Sequence, residues 1–105
     1  MDIYQPLKTR FRNDKRVSVN EGKGAQGIKM RIKGKERMFA MFLKGDLLLQ
    51  TSPERVNALI NQKLGAPYDP GTGKTMPDRV LIPARDQAQW IELIEQTIQA
   101  HQVSE

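Results

Sequence analysis

The sequence predicts an α+β fold in two layers, an antiparallel sheet of about five strands with helices packed on one side, in the order α-β-β-β-β-α-β-α. Three observations carry this. Between Gly27 and Gln50, apolar residues follow a strand-like pattern broken by two turn signals. Apolar stripes at helical spacing stand once before that stretch and twice after it. A short apolar run, Val80-Leu81-Ile82, separates the last two stripes and reads as a further strand. The 105 residues are expected to form one domain, 1–105, around one modest core.

In chain order, Ile3, Leu7 and Phe11 fall four apart and predict a short helix over 3–13, with Asp2 and Gln5 as a capping box and Pro6 tolerated only near its start. Arg16 to Val19 reads as a short strand, and Gly22, Gly24 and Gly27 punctuate a connector after it. Ile28, Met30 and Ile32 alternate with Lys29, Arg31 and Lys33 as in a half-buried strand. Gly34-Lys35 reads as a tight turn, Arg37 to Leu43 as a central strand apolar on both faces, and Leu47 to Leu49 as the strand that returns after Lys44-Gly45-Asp46. With the turn at Gly34-Lys35, Lys33 pairs with Glu36, Met30 with Phe39 and Ile28 with Met41. This register aims Ile28, Met30, Phe39, Met41 and Leu43 at the core and leaves Met38, Ala40 and Phe42 on the opposite face.

Ser52-Pro53 is an N-cap followed by proline at the first helical position. Val56, Leu59, Ile60 and Leu64 form the stripe of that helix, and Gly65 is its expected left-handed stop. A proline- and glycine-rich loop over 65–78 leads to a strand at Arg79 to Ile82, ended by Pro83. The last helix is expected over about 86–102, capped by Asp86 with Gln89, with Trp90, Ile91, Ile94 and Ile98 lining one face and Leu93 beside them.

Several chemistries are excluded by what the chain carries. There is no cysteine, hence no disulfide frame and no thiolate site, which fits a cytoplasmic location. No apolar run approaches the ~18 residues of a membrane span, and the N-terminus lacks the plan of a signal peptide. Pro70-Gly71-Thr72-Gly73-Lys74-Thr75 resembles a nucleotide-binding loop, but Tyr68 stands where the pattern needs its first glycine. The segment also follows a helix and precedes a strand, the reverse of the required order, so no nucleotide is expected at Gly71–Thr75. His101 is the only histidine and supplies no metal cluster. No nucleophile, base and orienting group fall into a catalytic pattern. The expectation is therefore no catalytic residue, no metal and no cofactor.

The charge is uneven. Ten Lys/Arg stand against three Asp/Glu in residues 1–35, and seven against nine in residues 36–105. Lys29, Arg31 and Lys33 are expected to project from one face of a strand at a spacing of about 6.5–7 Å, near that of phosphates along a nucleic-acid strand. Lys15, Arg16, Lys23 and Lys35 extend this patch. The expected partner is nucleic acid, bound weakly and without sequence readout, since no aromatic side chain interleaves with these cations. The alternative is a protein-interaction module, with Met38, Ala40 and Phe42 forming a homodimer interface on the open sheet face.

From Gly27 to about His101 the chain resembles the TfoX N-terminal domain family, relatives of the Sxy/TfoX competence regulators. The resemblance rests on Lys33-Gly34-Lys35, Met38-Phe39-Ala40, Gly45-Asp46-Leu47-Leu48-Leu49 and Pro53-Glu54-Arg55. It continues through Pro67-Tyr68-Asp69, Gly73-Lys74-Thr75-Met76 and Val80-Leu81-Ile82-Pro83. The chain departs from the family where Met-Phe-Gly-Gly usually precedes the second strand, reading Gly22-Lys23-Gly24-Ala25-Gln26-Gly27 instead. It is also too short for the second, helical domain of full-length regulators. The resemblance implies a two-layer α+β fold and a regulatory or accessory role without enzymatic activity, and does not extend to competence itself.

Overall fold

The computed structural model describes residues 3–21 and 26–104. Its elements are α1 (Gln5–Phe11), β1 (Val17–Asn20), β2 (Gly27–Ile32), β3 (Lys35–Leu43), β4 (Asp46–Gln50), α2 (Pro53–Asn61), β5 (Ala66–Pro67), β6 (Arg79–Ile82), a 3-10 segment (Ala84–Gln89) and α3 (Trp90–Ser104). The strands form one antiparallel sheet in the order β1-β2-β3-β4-β6-β5. The two-residue β5 on the β6 edge makes the sheet six strands rather than five. Leu7 and Phe11 of α1, Val56 and Leu59 of α2, and Trp90, Leu93, Ile94 and Ile98 of α3 share one core with Ile28, Met30, Phe39, Leu47, Leu49, Val80 and Ile82 of the sheet. All three helices therefore cover the same sheet face, and the other face carries no helix among the described residues.

The β2–β3 hairpin differs from the expected register. Its turn is Lys33-Gly34, with φ of 51° and 81°, so Ile32 rather than Lys33 closes the ladder, opposite Lys35. Two left-handed residues suit the right-handed twist of the flanking strands. Lys44-Gly45 repeats the device between β3 and β4, at 50° and 88°. From the first turn the pairs run Arg31–Glu36, Met30–Arg37 and Lys29–Met38, and the next pair is Ile28–Ala40. Phe39 is an extra residue, a β-bulge.

The bulge reverses the facing of every β3 residue beyond it. Phe39 and Ala40 are both fully buried in the helix-side core, and Phe42 packs against that core. Phe42 stacks on Tyr4 (ring centroids 4.5 Å apart), and Tyr4 stacks in turn on Trp90 (5.6 Å). Met41 pairs with Leu48 and Leu43 with Asp46, outside that core. Ile28, Met30 and Phe39 thus lie in the core as expected. Met41 and Leu43 do not, and Ala40 and Phe42 are not on the open face.

α1 starts at Gln5 with Pro6 in its first turn, where the missing N–H costs nothing; the expected cap Asp2 lies outside the described residues. Ser52 caps α2 by accepting the Arg55 N–H at 3.3 Å. The left-handed residue that ends α2 is Lys63 (φ 62°), not Gly65. The Leu64 N–H reaches the Leu59 carbonyl and the Lys63 N–H reaches that of Ile60, both at 3.0 Å, closing a Schellman motif. Gly65 serves another purpose: a Cβ there would lie 2.5 Å from Val80 Cγ2, so glycine lets the chain cross close over β6. The segment before α3 is a 3-10 helix, because Asp86 adopts a non-helical conformation (φ −103°, ψ 21°) and is no N-cap.

Candidate functional site

The open sheet face has an apolar centre and a basic flank. Met38 and Met41 of β3, Leu48 of β4 and Leu81 of β6 share this face through the pairs Met41–Leu48 and Leu48–Leu81. Leu48 is 3 % exposed, while Met38, Met41, Leu43 and Leu81 remain half-buried. Met38 lies over Gly27: a Cβ on Gly27 would be 2.8 Å from Met38 Sδ and would collide with the Ala40 carbonyl. A side chain at position 27 is thus incompatible with the bulge opposite.

The structure divides the expected basic patch. Lys15, Lys29 and Arg31 line one shallow depression of about 170 Å³ at the β1–β2 side of the open face, with Glu36 at its rim. Ser18 faces Lys29 across the ladder and Glu36 faces Arg31. Arg16 reaches the same place but is committed elsewhere. Its guanidinium bonds Asp14 (2.6 and 3.0 Å) and both oxygens of Glu95 on α3 (2.8 and 2.9 Å). Asp14 Oδ1 also accepts the Arg16 backbone N–H at 2.9 Å. The hydrogen bonds from Arg16 hold the Asp14 carboxyl at about 2, below its usual value, and those from Asp14 and Glu95 raise the Arg16 guanidinium. This is a clip between the start of β1 and α3. Lys23 lies outside the described residues. Lys33, lifted out of the strand by its left-handed turn, and Lys35, opposite Ile32, do not follow Lys29 and Arg31 onto the open face.

Lys33 instead borders a second depression of about 410 Å³, at the end of the sheet between the β2–β3 hairpin, the β4–α2 junction and the last turns of α3. Arg37, Gln50, Thr51 and His101 also line it. Sequence reading missed Arg37 and His101. The turn shift puts Arg37 opposite Met30, on the helix-bearing side of the hairpin. His101 is fixed by an edge contact to Phe39 (centroids 6.0 Å apart) and by its Nε2, 3.1 Å from the Gln50 carbonyl. A carbonyl only accepts, so Nε2 carries the proton.

In the loop 69–75, Asp69 Oδ1 accepts the N–H groups of Gly71 (2.8 Å) and Thr72 (2.9 Å). These amides, which a phosphate-binding loop would offer to its ligand, face a carboxylate. Among the described residues no group of three His, Asp or Glu is placed to hold a metal, and no helix is long and apolar enough to cross a membrane. Comparison with protein-family models, with curated proteins and with solved structures gives no match.

Proposed function

We propose that the protein is a cytoplasmic, non-enzymatic accessory module that binds nucleic acid weakly and without reading sequence. The observation that carries this reading is the convergence of Lys15, Lys29 and Arg31 on one depression at the edge of an open sheet face. Lys29 and Arg31 are two apart on β2, so their heads track a backbone at about 6.5–7 Å. Arg16, held by two carboxylates, takes no part. Cations without neighbouring aromatics contact phosphates and confer no base preference. The likeness of the sequence motifs to the TfoX N-terminal domain family agrees with an accessory role, and membership of that family is part of the proposal.

The test is to replace Lys15, Lys29 and Arg31 together by glutamine and to measure affinity for single-stranded and duplex DNA and for RNA across a salt series. Affinity should fall, and the log–log salt slope should shrink by about two to three, one per lost phosphate contact. No binding by the wild type at low salt, or an unchanged slope in the variant, overturns the reading. A second reading is favoured by the apolar centre of the same face. We propose Met38, Met41, Leu43 and Leu81, in place of Met38, Ala40 and Phe42, as the residues through which a homodimer would form. Light scattering decides it: a monomer that persists at high micromolar concentration excludes the dimer.

A further inference from the structure

We infer that the 410 Å³ depression at the end of the sheet is a binding site for a small organic phosphate, of the size of a sugar phosphate. The volume lies in the range of small-molecule pockets, about 300–1,000 Å³, and exceeds what a bare phosphate ion fills. Lys33, Arg37 and His101 reach it from three directions: the hairpin turn, β3 and the end of α3. No carboxylate is among the described residues that line it. Arg37 is exposed, and no ion pair or hydrogen bond holds its guanidinium among the described residues. That planar fork matches two phosphate oxygens at once.

The floor is polar in the right sense. Thr51 is 3 % exposed yet lines the depression, and Ser52 beside it caps α2 while its O–H stays able to donate. The Nε2–H of His101, given to the Gln50 carbonyl, holds the ring in place at the wall of the depression. Ile32 and Ala100 supply apolar wall for the organic part of the ligand. The site is separate from the proposed nucleic-acid contact, because Lys29 and Arg31 stand on the opposite face of the sheet.

The lone histidine makes the test direct. The His101 ring resonances of the intact protein are followed by NMR at constant pH during titration with ribose 5-phosphate, inorganic phosphate and, as an uncharged control, ribose. Ribose 5-phosphate should shift them saturably and bind more tightly than inorganic phosphate, and ribose should leave them in place. Arg37→Gln should weaken binding about tenfold or more, as loss of a charge-assisted contact does. Lys74→Gln removes the same charge from the exposed loop 69–75, outside the depression, and should change affinity less than about twofold. A shift that never saturates, equal or tighter binding of inorganic phosphate, or equal losses in the two variants overturns the inference.

Discussion

Lys33, Lys44 and Lys63 all hold positive φ, a conformation that crowds the Cβ of an L-residue. At two of them a following glycine completes a hairpin turn; at Lys63 the residue alone turns the chain out of α2. Replacing Lys63 by glycine should stabilise the fold by about 0.5–1 kcal/mol, because glycine adopts this region without steric cost and loses part of that gain in backbone entropy. Urea unfolding should show a higher midpoint at an unchanged slope. An unchanged or lower midpoint would mean that the Lys63 side chain contributes more than its backbone costs. Sequence reading placed this stop at Gly65, since glycine is the usual residue there. The true reason for Gly65, the closeness of Val80 and Ile82, is a tertiary contact that local sequence does not encode. Ser52-Pro53 was legible because capping is local: the hydroxyl and the N–H it satisfies are three residues apart.

At the scale of the element, β3 decides the layout of both faces. Period-two counting found its partner strands and its end at Leu43 but not its start at Lys35, and such counting assumes an unbroken ladder. Phe39 is apolar on either reading, so nothing in the sequence marks it as the extra residue. One inserted residue then exchanged the facing of Ala40 and Phe42 with that of Met41 and Leu43. Phe39→Ala should cost about 3–5 kcal/mol, as truncation of a buried phenylalanine leaves a cavity. The His101 ring, which packs edge-on to Phe39, should report the loss as a shift of its resonances. A cost below about 1 kcal/mol would mean that Phe39 is not enclosed as described.

Across the whole molecule, the Arg16 clip joins the first strand to the last helix, and its contribution depends on pH. Asp14 titrates at about 2 in the folded chain against an ordinary 3.8. A lowered carboxylate stabilises the fold above the unfolded value, and that contribution is lost as the pH falls from 3.8 through about 2. Asp14→Asn should therefore be less stable at pH 7 by about 1 kcal/mol, allowing for the partial exposure of Arg16. The difference should vanish near pH 2 in thermal unfolding followed at several pH values; a gap that stays constant down to that pH would assign the loss to packing. The two candidate sites were unequally legible for a related reason. Lys15, Lys29 and Arg31 could be grouped from strand alternation and proximity in sequence. Arg37 and His101 meet only after α3 has folded back across the sheet. The bulge has one more consequence, in time rather than in space. From Arg31 to Arg37 every residue but Ile32 is exposed, and this tip is joined to the rest of the sheet through an interrupted ladder. Such a segment opens without global unfolding. Amide hydrogen exchange should step at Phe39, fast on the tip and slow from Ala40 to Leu43, and an occupant of the depression beside Lys33 and Arg37 should slow the fast side alone.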